Sequence, residues 1–323
     1  MTVLVAAAAI AVAGATVGVT LAQSDKAASP VAGAAATSKP LEGDPPLVLE
    51  LGVRDDKEAQ ALRRGSSLLD QGKRVEAAKV FLDWHSLDAQ VAQIVAQWSP
   101  DAGLRGLQAL ALEHPDSALA QLHLGLGLVW VGRIGDAEKA WRTAVQKDPD
   151  SPYAIRAADL LHPNTPRGLP VFVPSFPTPG GLDGLSPAQQ LAKLKELADS
   201  SGGWQERIAY GIALERLAMR VSAERQMALA ASAAPDNVEA LTAAAFSRFD
   251  KEQPVRAFSQ LGPLSKRFPK SAIVRYHLGV LLLWMGDVDG SRKQLRSAVQ
   301  DGPATAPVVQ AATQVLAQLA KLK

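Results

Sequence analysis

The sequence predicts an all-α protein assembled from helical hairpins, and three observations carry that expectation. Apolar residues make up 47% of the 323 positions while aromatics make up only 5%, so the apolar mass is mostly Ala, Leu and Val, which suits closely packed helices better than sheets. The stretch Pro115–Pro149 aligns with Pro269–Pro303 at a constant shift of 154 without a gap, with 15 identities in 35 positions, so the body contains a duplication. Within each copy lies a shorter period: Pro115 and Pro149 are 34 apart, as are Pro235 and Pro269, and Pro269 and Pro303.

The first segment, Val3 to Ala22, is a 20-residue run without a charge, long enough as a helix to cross roughly 30 Å of hydrocarbon. Read as a retained anchor, it places the protein at a membrane with its body outside the cytoplasm. Read as a cleaved signal, with Thr20 and Ala22 before a cut at Gln23, it leaves the body secreted or periplasmic. The missing Lys or Arg ahead of the run and its length favour the anchor; an Ala-rich tail is the third reading. Residues 23–46 lack periodicity and carry Pro30, Pro40, Pro45 and Pro46, which predicts a disordered spacer.

The folded body starts near residue 55. In its best copy Leu124-Gly125 is followed by Leu128, Gly132, Ala137, Trp141, Ala144 and Pro149. Gly125 and Ala137 are small where two antiparallel helices meet, Gly132 suits the turn, and Pro149 stops the second helix. Residues 204–237 repeat the pattern with Gly211, Leu214, Ala223, Met227, Ala230 and Pro235, and residues 272–305 with Leu278, Gly279, Leu282, Gly286, Leu295, Ala298 and Pro303. Weaker copies occupy 238–271, 84–117 and, shortened, the stretch from residue 58. Two blocks result, 55–161 and 186–323, the second closed by an amphipathic segment from Pro307 and opened by Ser186-Pro187, an N-cap followed by a first-turn proline. Between them, 162–185 holds Pro163, Pro166, Pro170, Pro174, Pro177 and Pro179, which exclude a helix.

These residues resemble the tetratricopeptide repeat, over roughly 58–161 and 204–305, and with the uncharged run they resemble a bacterial member of that family bearing an N-terminal membrane segment. The resemblance implies a right-handed helical-hairpin solenoid of two three-repeat blocks, with the first helix of each repeat lining a concave groove. It thereby places Leu119, Leu122, Leu126, Val129 and Trp130 in one groove, and Ile273, Tyr276, Val280, Leu283 and Trp284 in the other. These positions lie off the hairpin seam, and a helix apolar on all sides must be covered on both. Two coverings remain open: a partner's segment, or the chain itself, for which Val171, Phe172, Val173 and Phe176 of the connector are suitable.

Chemistry of other kinds finds little support. There is no Cys, the net charge is +2, and His85, His114, His123, His162 and His277 show no paired metal-ligand spacing, His123 and His277 reading as packing residues on a helix. Gly125-Leu126-Gly127 lacks the third glycine of a dinucleotide loop, and Arg216, Arg220 and Arg225 are interleaved with Glu206, Glu215 and Glu224. The expectation is a non-catalytic scaffold without cofactor, metal, nucleic acid or small-molecule substrate. It would bind a protein or peptide in an apolar concave groove, with the membrane contacted through its N-terminal segment. The alternative is an accessory subunit of an enzyme or envelope assembly complex, acting through its convex surface.

Overall fold

The computed structural model describes residues 40–321, and among them it contains fifteen helices and no strand. They divide into two units, one ending at Pro163 and the other starting at Asn164, which correspond in construction.

In the first unit, α1 (Lys57–Asp70) pairs with α2 (Arg74–Leu82), α3 (Leu87–Ala96) with α4 (Pro100–Glu113), and α5 (Ala118–Trp130) with α6 (Ile134–Lys147); α7 (Pro152–Leu161) closes the stack on α6. In the second, α8 (Pro187–Ser201) packs on α9 (Trp204–Arg216). Here α9 pairs with α10 (Arg220–Ala233), α11 (Val238–Phe246) with α12 (Val255–Arg267), and α13 (Ala272–Trp284) with α14 (Val288–Asp301), and α15 (Pro307–Lys321) is the closing helix.

The prolines end helices as expected. Helices α4, α6, α10, α12 and α14 all stop two residues before a proline, at Glu113, Lys147, Ala233, Arg267 and Asp301, because the residue preceding proline is driven out of the helical region. Starts are equally local. Ser86, Ser117, Ser151 and Asn237 accept backbone N–H bonds at the heads of α3, α5, α7 and α11, and Ser186 with Gln189 forms a capping box on α8.

Glycine marks the tight approach in every hairpin but that of α11 and α12, where Ala244-Ala245 takes its place. A methyl group at Gly125 would collide with the Trp141 indole, whose N–H donates to the Leu122 carbonyl at 3.2 Å. Three hairpin turns place a glycine in the left-handed region, Gly72, Gly132 and Gly286 at φ of 75°, 80° and 81°. The turn between α9 and α10 puts Ala218 in that place at φ 58°, a strained choice for a residue with a Cβ.

The expected placement at a membrane is corrected: among the described residues no helix is long and apolar enough to cross one, and the uncharged run 3–22 on which both the anchor and the exported alternative rested lies outside the described residues. Most of the expected spacer lies outside them too. From residue 40 onward, however, the chain is packed on the first unit, with Pro45 buried and Leu41, Leu47 and Val48 against its core.

Two substitutions test the hairpin geometry. Ala218→Gly is expected to stabilise by about 0.5–1 kcal/mol through relief of the left-handed backbone. Gly125→Ala is expected to cost about 1–3 kcal/mol by overpacking. Urea-denaturation midpoints compared with the parent chain check both.

Candidate functional site

In each unit an extended segment of the chain runs across the first helices of the repeats. The first strap is residues 41–51; the second is residues 169–176 of the proline-rich connector. The helices present hydrogen-bond acceptors, and the straps present main-chain N–H groups.

Histidine sits at the centre of both. His123 on α5 has Nδ1 3.0 Å from the Leu119 carbonyl oxygen and Nε2 3.1 Å from the Val48 nitrogen. His277 on α13 repeats this with Ile273 at 2.8 Å and Val173 at 3.0 Å. The partners dictate the tautomer. A carbonyl only accepts, so Nδ1 carries the proton, and an amide N–H only donates, so Nε2 is bare. Both rings must be neutral. Burial ensures it, holding the His123 pKa down at about 4 and that of His277 at about 3.

Two residues along each strap a second amide on the same side is held. The Ser175 N–H donates to the Glu239 carboxylate at 2.6 Å, joined by the Ser175 hydroxyl. The Glu50 N–H instead donates to the Tyr153 hydroxyl at 3.0 Å, and that hydroxyl donates to Asp88 at 2.6 Å. Spacing of two is what an extended chain provides, since successive N–H groups point to opposite sides.

Further contacts differ between units. On the first strap the Leu41 N–H donates to the Trp130 carbonyl at 2.9 Å, Arg156 pairs with Glu50, and Arg74 pairs with Asp44. On the second the Phe172 N–H donates to Glu215 at 2.8 Å. Burial pushes the Glu215 carboxyl up to about 8, against the pull of that N–H. Burial raises Glu239 as well, opposed by its two Ser175 bonds. The Phe172 ring stacks on His277 at 4.1 Å between centroids and meets Phe246 edge-on at 5.9 Å.

The residues expected in the grooves fall into two environments. Leu119, Leu122, Leu126, Val129 and Trp130 are buried, as are Ile273 and Tyr276. Val280, Leu283 and Trp284 are half-buried against the second unit's core, with Phe249 edge-on to Trp284 and the Lys251 ammonium 5.7 Å from its ring. Of the connector residues expected as tenants, Phe172 and Val173 are buried, while Val171 and Phe176 are half-buried, Phe176 meeting Trp204 edge-on. Sequence reasoning missed His123 and His277 as the residues that read the straps. The available signal was their equivalence at the shift of 154, each followed by Leu-Gly.

These features define a class: a helical-hairpin repeat protein with tetratricopeptide-like hairpins, each unit carrying its own extended strap. No family model matches the chain, and no curated protein matches it. Among solved structures it is similar to a tetratricopeptide repeat protein from Parabacteroides merdae, at 13% identity over 82% of this chain and 98% of that one, with a TM-score of 0.33. It is also similar to yeast Tom70, at 12% identity over 84% and 50% of the two chains and a TM-score of 0.33. A third similarity is to the APC/C hetero-tetramer Cut9–Hcn1, at 12% identity over 80% and 56% and a TM-score of 0.30.

The titrations have opposite signs. Each histidine has its ordinary pKa near 6.5 when unfolded and a lower one when folded, so its contribution is full above 6.5 and is lost as pH falls, toward about 4 for His123 and about 3 for His277. For His123 the loss is at most about 3 kcal/mol. Glu215 is raised from 4.5 to about 8, so its contribution is full below 4.5 and is lost as pH rises to about 8. Glu215→Gln keeps a side-chain oxygen for the Phe172 N–H and removes the titration. It is expected to abolish the loss of stability between pH 6.5 and 8 and leave the acid-side loss intact, read from urea midpoints across pH.

Proposed function

We propose that this chain is a non-catalytic protein-interaction scaffold whose partners are proteins or peptides, received along the inner faces of its helical units. The reading is supported above all by the acceptors on those faces. His123, Tyr153 and the Trp130 carbonyl in one unit, and His277, Glu215 and Glu239 in the other, are each engaged by a main-chain N–H of an extended segment. A surface that pairs main-chain amides at a spacing of two, with apolar side chains between, suits polypeptide rather than a nucleotide or small metabolite. Leu119, Leu122, Leu126, Trp130, Ile273, Tyr276, Val280, Leu283 and Trp284 supply its apolar part.

A second reading, an accessory subunit of an enzyme that works through its outer surface, has its own support. Leu112, Val75, Val255 and Leu82 are 82%, 67%, 67% and 65% exposed, and the inner faces already hold straps.

Site-specific photocrosslinking in cells separates the two. With the photoreactive residue in place of half-buried Trp284, a discrete protein adduct is expected. Adducts at Leu112 alone would favour the second reading, and no adduct at either position would defeat the scaffold itself.

A further inference from the structure

We infer that the first strap, residues 41–51, is a releasable self-inhibitor, and that the ligand it stands in for is an extended peptide carrying the pattern Pro-x-(Leu/Phe)-Val. The inference rests on the scaffold reading above and specifies which face opens and to what.

The pattern comes from the two occupants. Aligned on the histidine-bound amide, Pro45-Pro46-Leu47-Val48 lies over Pro170-Val171-Phe172-Val173, with the proline three positions before the valine in both. The straps are offset by 125 residues, from Val48 to Val173, whereas the helices beneath them are offset by 154. The grooves therefore select two segments that are out of step with the duplication, through the same backbone register. Main-chain recognition of that kind accepts any chain that brings the same amides and the same apolar pair.

Burial separates the straps. At the core of the second, Phe172 is 1% exposed and wedged against His277 and Phe246 with Val173 buried beside it. Leu47 and Val48, at the equivalent positions of the first, are only half-buried, as are their neighbours Pro46 and Leu49; of residues 41–51 only Pro45 and Leu51 are buried. The second strap is part of a core, and the first is a ligand laid on one. Its departure leaves His123 Nε2, the Tyr153 hydroxyl and the Trp130 carbonyl without donors, which a competing peptide restores.

The test uses the full chain with Val48→Pro and Glu50→Pro together. Proline keeps the extended φ and removes the two N–H donors while leaving the groove untouched. A fluorescent peptide copying residues 41–54 is titrated into both proteins and followed by anisotropy. Because a tethered strap competes at an effective concentration of order millimolar, the variant is expected to bind of order 100-fold more tightly than the parent. Affinities within about threefold of each other, or no binding to the variant, would overturn the inference. Should the variant lose its helical circular dichroism, a protease site inserted after Gly52 gives a second route. Once cut and diluted, the strap is expected to dissociate and be replaced by the labelled peptide, and its persistence would overturn release. Val173→Pro with Ser175→Pro is expected to lower the urea midpoint of the chain instead of creating a peptide site. The peptide copies the chain's own sequence, so this result is independent of whether the photocrosslinking finds a partner.

Discussion

The structure turns on a neutral imidazole that joins a helix to an extended stretch of chain. His123 and His277 each commit one ring nitrogen to the carbonyl four residues back and offer the other to a strap amide. The strap bond does not survive protonation, because a second ring N–H would face the amide N–H, whereas the bond from Nδ1–H to the carbonyl is kept. What keeps the ring neutral is burial, and burial is supplied in part by the strap: Phe172 lies flat on the His277 ring. The strap is thus held by a group whose ability to hold it depends on the strap being there, an arrangement that favours bound or released states over partial ones. An unpaired buried acceptor costs about 1–3 kcal/mol, so a strap that covers these acceptors must also satisfy them.

The two units reach the same end by different chemistry. Asp88 and Glu239 are both the second residue of their helices, α3 and α11, two positions after the Ser86 and Asn237 caps. The longer Glu239 side chain reaches the strap amide of Ser175 directly. Asp88 is one methylene shorter, and the gap is spanned by Tyr153, which sits right after the first-turn proline of α7, where α15 has Val308 after Pro307. A carboxylate, a helix start and an amide are common to both, and one phenol makes up the difference in length.

The hairpins were legible because their determinants are local: a glycine where a bulky residue of the partner helix lands, a glycine or strained alanine in the turn, a proline two residues past the stop. Gly125, Gly132 and Pro149 each do their work within twenty residues of the side chains they affect. The straps were legible only in part. An extended segment makes no bonds with itself, so Leu41 to Pro46 carries no periodicity and reads as spacer, while the apolar cluster Val171 to Phe176 stood out only because it interrupts a proline-rich stretch. The histidines were opaque for the same reason. Val48 is 75 residues from His123 and Val173 is 104 from His277, and no spacing rule links a helix side chain to an amide that far away.

Proline explains how so short a segment stays in place. Ordering each backbone residue costs roughly 1–2 kcal/mol, and a strap recovers none of this through helical bonds. Pro45, Pro46, Pro170 and Pro174 enter with φ already fixed near the extended value, so less freedom is lost on docking. Their positions fit the bonding as well. Pro174 stands between Val173 and Ser175, whose amides both meet acceptors, and it adds no donor of its own to be satisfied there. The same residues that make the segment look like a linker make it a preorganised ligand for the acceptors on the helices beneath.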